Sequence, residues 1–428
     1  MTQHVCPDRR EREALLGELA EELTALLDWL ASLAADAGGG VTRLLYSPSW
    51  LRTQLALRER MAASSLDARF DEVGNLYGRL AGADSSAPAI VTGSHIDTVV
   101  QGGMYDGAYG VAAGMVALRY LQARFGQPRR TLEVVALCEE EGSRFPLAYW
   151  GSGSITGARG FAQLTGLVDG AGVPFEEAMR GCGFGPGSGS LSRRTDIGAF
   201  VEAHIEQGAL LEAAGAQLGL VEAIAGQRRL RFEVTGEANH AGTTPMTGRR
   251  DALQGACAMA LALEAEALRL GAPLVATVGR MEIAPNVPNV VAGRVAFTVD
   301  ARHVDEAQLD AFCAWMRLRF EELARERSLE LGAEEWFRES PVPMDPRLLR
   351  ELGAVCAEAG IEAQRMMSGA GHDAQMFAAC CPTALLFVPS RGGISHAPRE
   401  YTDPRDLAAG ALVLAELLYR LAYEEDAP

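Results

Sequence analysis

Residues 94–110 read SHIDTVVQGGMYDGAYG, which sets His95, Asp97 and Asp106 among glycines directly after the apolar run Ala89-Ile90-Val91. Buried charge is costly unless it is paired or bound to a metal. A lone histidine or aspartate in such a turn reads as a solvated surface residue. Here the pattern recurs in EEEG at 139–142, EAHIEQG at 202–208, GEANHAGTTP at 236–245 and GISHAP at 393–398. His95, His204 and His396 with Asp106 and Glu141 form an inventory suited to two divalent ions sharing one carboxylate. In CEEEGSRF one glutamate can bind metal while its neighbour takes a proton from an activated water. The spacing His95-x-Asp97 suits an aspartate that holds the imidazole. His240 lies on a turn rich in glycine and threonine, where a surface histidine is as reasonable as a functional one. Arg302 ends VAFTVDAR and is a candidate anion clamp, because the middle of the chain otherwise lacks one.

Such residues need elements to carry them. Leucines at helical spacing predict a first helix from REREALL to the three glycines at 38–40. Ser47-Pro48 predicts the start of a second. Apolar runs at 89–91, 131–138 and 199–207 predict strands, with a helix over 107–125. TLEVVALC is apolar almost throughout, which suggests a central strand covered on both faces. In open α/β sheets, ligands bind beyond the carboxyl ends of strands. From residue 223 the texture changes. A strand at 229–236, a helix at 249–270, strands at 274–283 and 290–301, a helix at 305–327 and a strand near 329–336 give the order β-α-β-β-α-β. That is the split ferredoxin-like arrangement. The α/β pattern then resumes with a helix at 346–359, a strand at 383–388 and a helix at 404–424; GFGPGSGSLS at 183–192 reads as a loop. The expected architecture is one α/β domain in two segments, 1–222 and 335–428, with a domain inserted at 223–334.

The 428 residues, 48% hydrophobic, allow a large core and two domains. A net charge of -17 disfavours nucleic acid and anionic membranes as partners. The cysteines are scattered, with Cys138, Cys257 and Cys313 in apolar or helical stretches, and read as reduced core thiols of a cytosolic protein. The start, MTQHVCPDRRERE, lacks the apolar core of a signal peptide, and no apolar stretch is long enough to span a bilayer.

TGSHIDTV, the aspartate of YDGAYG, EEEGSRF, HIEQG, ANHAGTTPM, GAGHDAQMF and GISHAP together resemble the dinuclear metallo-amidohydrolases of the M20 peptidase superfamily. The resemblance covers nearly the whole chain, in order. It is narrower toward the ureido-amide branch, whose members hydrolyse allantoate, N-carbamoyl-L-amino acids or ureidopropionate. It implies a metallopeptidase-like α/β/α catalytic domain with an inserted ferredoxin-like α+β lid through which two subunits dimerise. His95 and His204 would hold one metal and Glu141 and His396 the other, bridged by Asp106. Manganese is implied, and the ligand set would also accept zinc. Glu140 would be the general base, aided by Asp97 and His240, the latter presented to the partner subunit's site. Gln207, Gln227, His240, Asn289, Arg302, Gly371 and His372 would bind a small ureido carboxylate. Many peptidases of the superfamily carry an acidic residue where His204 stands. MYDGAYG departs from NLDGQFG of related chains but keeps the aspartate, so the difference bears on pocket shape. The implied reaction is ureido hydrolysis, of allantoate or, as the alternative, of an N-carbamoyl amino acid. A non-catalytic protein of this fold should have lost Glu140 or a ligand, and none is missing.

Overall fold

The structure is a computed structural model that describes residues 9–186 and 193–424. Residues 1–8 of the charged start and 187–192 of the expected glycine-rich loop lie outside the described residues. The chain forms two compact units. The first comprises residues 1–222, 344–366 and 372–428, and the second 223–343 with 367–371.

The first unit is built on a mixed sheet. Its strands are β1 (Asp67–Phe70), β2 (Leu76–Leu80), β3 (Ala89–His95), β4 (Leu132–Leu137) and β5 (Ile197–Ile205), followed by β6 (Leu218–Ile224). The second unit holds β7 (Gly226–Thr235), β8 (Asn239–His240), β9 (Val275–Ala284), β10 (Val290–Val291), β11 (Arg294–His303), β12 (Glu330–Glu339) and β13 (Val342–Pro343). The chain then adds β14 (Ala363–Ser368) and β15 (Thr383–Val388).

In the first sheet the order runs β1-β2-β4-β3-β5-β15-β6, with β14 beside β6. The central strands β4, β3, β5 and β15 are parallel. Every residue of β3, β4 and β15 is buried, as strands covered on both faces require, including the polar Thr92, Ser94 and His95 of β3 and Glu133 of β4. The helices Ala108–Phe125 and Pro404–Tyr423 pack on each other and on these strands. From β3 the chain passes to β4 on one side, while β5 lies on the other. This is a topological switch point, where a crevice opens at the carboxyl ends of the strands. The helix Pro48–Ala63 begins as its sequence predicts: Ser47 accepts the Trp50 N–H, with proline in the first turn. The first helix stops at Ser32, well short of the three glycines. Residues 35 and 41 bridge instead, and Gly39 and Gly40 turn the chain at positive φ.

The second unit has the expected ferredoxin-like order, with antiparallel strands arranged β12-β7-β11-β9. Two helices, Ala252–Leu270 and Glu306–Glu326, cover one face and enclose Leu230, Phe232, Val234, Phe297 and Phe320. The strand expected over 290–301 is divided into β10, which pairs with β8, and β11. β12 runs on to Glu339, so this unit extends to Pro343 rather than ending at 334. Cys138, Cys313 and Cys356 are buried free thiols, whereas Cys257 is exposed on its helix and is no core thiol. Among the described residues, no helix is long and apolar enough to cross a membrane.

Candidate metal centre

Four parallel strands end at one place, and each delivers a polar side chain there. His95 is the last residue of β3, Glu140 and Glu141 follow β4, His204 lies near the end of β5, and His396 follows β15. Asp106 comes from the turn between β3 and its helix. Gly107, at φ +64°, lets that turn close on the strand: a Cβ there would lie 2.5 Å from His95 Cε1 and 2.5 Å from the His95 carbonyl oxygen. Only glycine fits this approach and this dihedral.

Asp106 is the hub. Its Oδ1 lies 3.3 Å from His95 Nε2 and 3.3 Å from His204 Nε2. Its Oδ2 lies 3.2 Å from His396 Nε2, which is 3.5 Å from Glu141 Oε1. The two carboxylate oxygens thus face two separate ligand sets, His95 with His204 and Glu141 with His396. Donor atoms in each set lie within 4.8 Å of one another. Ligand atoms around a tetrahedral ion with bonds near 2.0–2.1 Å stand about 3.3 Å apart.

The hydrogen bonds fix the tautomers of two histidines. His204 Nδ1 faces the Ile205 carbonyl at 2.9 Å, and His95 Nδ1 faces the Asp97 carbonyl at 3.1 Å and its Oδ1 at 3.2 Å. These partners only accept, so each neutral ring carries its proton on Nδ1 and turns its Nε2 lone pair toward Asp106 Oδ1, with that of His204 also accepting the Gly107 N–H at 3.2 Å. Lone pairs that converge on a carboxylate oxygen need a cation between them. Glu141 Oε1 is buried and has no hydrogen-bond partner among the described residues, as an oxygen kept for a metal would. The residues present therefore fit two divalent ions.

The electrostatics follow from this crowding. Burial resists charge on His95 and His204, but in the doubly protonated rings an Nε2–H donated to Asp106 outweighs it and raises both. The Asp106 carboxyl is also penalised by burial, yet its histidine contacts hold it well below the usual range. The Asp106 hydrogen bond lifts His396 to about 9 against burial. Desolvation raises Glu140 well above the ordinary carboxylate range and pushes Glu141 up to about 7. Glu140 reaches within 4.8 Å of donor atoms of His95 and Glu141, in place to exchange a proton beside the ligands.

Asp97 does more than hold His95. Its Oδ1 and Oδ2 also accept the Glu140 and Glu141 N–H groups at 3.0 and 3.2 Å. One carboxylate thus ties the end of β3 to the glutamate loop. Gln207, expected at the substrate, donates to Asp106 Oδ2 at 2.8 Å and steadies the hub. Gln207 and His396 adopt left-handed φ values of 58° and 53°. Such backbone costs about 1–3 kcal/mol per residue and clusters at functional sites. His372 is buried with its ring 4.6 Å from that of His204.

The remaining expected residues belong to the second unit. Gln227 and Arg302 face each other across β7 and β11. His240 pairs with Val290, next to Asn289, whose carbonyl accepts the Ala241 N–H. The His240 Nδ1 accepts the Gly242 and Thr243 N–H groups, which leaves Nε2–H as an exposed donor. Gly371 follows the loop whose Gly369 carbonyl accepts from Arg302.

Several carboxylates of the centre escaped the sequence reading. Glu400 is buried and accepts the Tyr105 and Asp106 N–H groups at 2.9 and 3.1 Å, bracing the hub from behind. Glu202 accepts from Ser94 and from the Ala374 N–H, and Asp373 from Ser152. Glu202 shared a motif with His204 and Glu400 closely follows His396, but nothing local showed that they would be buried.

Residues 91–420 match Peptidase family M20/M25/M40, and the chain belongs to this family. Within it, the chain is 47% identical to the allantoate amidohydrolase of Bacillus subtilis (strain 168), over 94% of this chain and 97% of that protein. It is 46% identical to the allantoate amidohydrolase of Escherichia coli (strain K12), over 96% and 100%. Among solved structures, an amidase of the hydantoinase/carbamoylase family from Burkholderia multivorans aligns with a TM-score of 0.89 at 34% identity, covering 93% of this chain and 97% of that one.

Proposed function

We propose that the protein is a metal-dependent amidohydrolase that cleaves the ureido C–N bond of allantoate, giving ureidoglycine, ammonia and carbon dioxide. The observation that carries this reading is Asp106, whose two oxygens face two ligand sets in a chain similar along its length to allantoate amidohydrolases. His95, His204 and Asp106 would hold one ion, and Asp106, Glu141 and His396 the other. Two divalent ions, manganese or zinc, would supply an acidified water and stabilise charge at the carbonyl oxygen. Glu140 takes the proton of the attacking water and returns it to the departing nitrogen. Ammonia leaves, and the carbamate loses carbon dioxide. Asp97 and Gln207 hold the ligands in place, and His372 packs on His204. Gln227, Asn289, Arg302 and Gly371 serve substrate binding. The Nε2–H of His240, offered by the partner subunit, donates to the oxyanion without adding charge to the ground state.

A homodimer formed through the second unit is part of this reading. It is supported by exposed apolar side chains there, with Leu261, Leu268 and Val275 at 66%, 76% and 56% exposure. Sedimentation should give twice the chain mass, and a monomer with full activity would remove the shared site. The test of substrate is ammonia release by manganese-loaded protein. Allantoate should exceed every member of a panel of N-carbamoyl-L-amino acids in kcat/KM. The opposite ranking would favour the second reading, an N-carbamoyl-amino-acid hydrolase, which the carbamoylase-family structure motivates.

A further inference from the structure

Register alone puts four polar residues of the second unit side by side. Across β7 and β11, Arg229 opposes Asp300 and Gln227 opposes Arg302. Residues two apart on a strand share a face. Leu230, Val299 and Ala301 turn into the helix-covered core, so these four lie on the face without helices. At their centre is Asp300. Its Oδ1 accepts Arg302 Nε at 2.9 Å, and its Oδ2 accepts Arg302 Nη2 at 3.3 Å and Arg229 Nε at 3.0 Å. The Gln227 amide nitrogen also donates to Oδ2. A carboxylate offers about four lone-pair sites. Three of these donors share Oδ2 and one takes Oδ1, so both oxygens of Asp300 are engaged by neighbours in the sheet.

We propose that Asp300 is the positioning residue that sets the anion-binding fork of Arg302 and the carboxamide of Gln227; this rests on the reading that both touch substrate. A guanidinium has five N–H groups. Arg302 spends two on Asp300 and, through Nη1, one on the Gly369 carbonyl at 2.6 Å. Two remain, the number a bidentate carboxylate needs. With its nitrogen turned to Asp300, Gln227 keeps Oε1 as an acceptor for an N–H. Arg229 is held apart, its guanidinium 5.4 Å from the Trp336 ring and 5.0 Å from that of Phe337. Two arginines and one aspartate leave a single net positive charge. The ligand class this face selects is a monoanion that carries its carboxylate close to a hydrogen-bond donor, as a ureido acid does.

The test is a double-mutant cycle in the full-length, manganese-loaded enzyme, with allantoate as substrate. Asp300→Ala should raise KM about 10-fold or more while kcat changes less than about twofold. The same substitution in an Arg302→Ala background should add little, because the fork it sets is gone. Asp300→Asn, which keeps an oxygen acceptor, should fall between wild type and Asp300→Ala, and it carries the comparison if the alanine variant does not fold. If Arg302→Ala raises KM but neither Asp300 variant does, or if the two effects multiply, Asp300 is not the positioning residue. If Arg302→Ala leaves KM unchanged, the substrate-binding reading itself fails, and that outcome is separate.

Discussion

Removal of the Asp97 carboxylate should disable the centre without touching a ligand. Asp97 is fully buried and joins His95 Nδ1 to the Glu140 and Glu141 N–H groups. Asp97→Ala strands two backbone donors. Each unsatisfied buried donor costs about 1–3 kcal/mol, so the metal-free protein should lose about 2–6 kcal/mol. Water entering the gap would reduce that loss but would not restore the carboxylate that orients the imidazole. Loss of such a partner typically costs about 10- to 100-fold in metal affinity. Asp97→Asn keeps one acceptor and turns its amide toward a donor, so it should lie between the two. Denaturant titration of the apo protein and chelator competition with manganese give the two numbers. A stability within about 0.5 kcal/mol and a metal affinity within about twofold of wild type would refute the reasoning.

Glu140→Gln should keep both ions and lose at least about 100-fold in turnover; near-normal turnover with metals bound would remove Glu140 from proton transfer. Gly107→Ala places a Cβ 2.5 Å from His95 Cε1 at φ +64°. Such strain costs about 1–3 kcal/mol before any clash, so both melting temperature and metal affinity should fall, and unchanged values would show that the turn relaxes freely. Burial pushes Asp71 up to about 6, against hydrogen bonds from Asn75 and Val73. A raised folded pKa stabilises below the unfolded value, near 4, and that stability is lost as pH rises through about 6. Relative to Asp71→Asn, wild type should lose about 1.4 kcal/mol between pH 5 and pH 8; parallel stability curves over that range would contradict the assignment.

The five candidate ligands could be singled out in the sequence because they stand at or near strand ends in glycine-containing motifs, and parallel strands gather their carboxyl ends. The ferredoxin-like order was legible because its strands and helices differ in period. The strands β1 and β2, at one end of the sheet, were not, being short and mixed in polarity. Glu400 stands in a charged stretch that reads as solvent-facing. Its burial comes from accepting N–H groups nearly three hundred residues earlier in the chain, a contact no local pattern encodes. Gln207 was assigned to substrate from its motif, and its contact with Asp106 became visible only once β5 and the β3 turn were set side by side. The Asp300 hub likewise depends on strand register rather than on composition.

One carboxylate, Asp106, is expected to join two metal sites into one hydrolytic centre. Metal-free protein titrated with manganese, with bound ions counted per chain and ammonia release from allantoate followed at each step, tests it most directly. Activity should reach its plateau only as the second ion binds, and Asp106→Asn should bind fewer than two ions and remain inactive. Full activity at one ion per chain, or two tightly held ions in Asp106→Asn, would contradict the account.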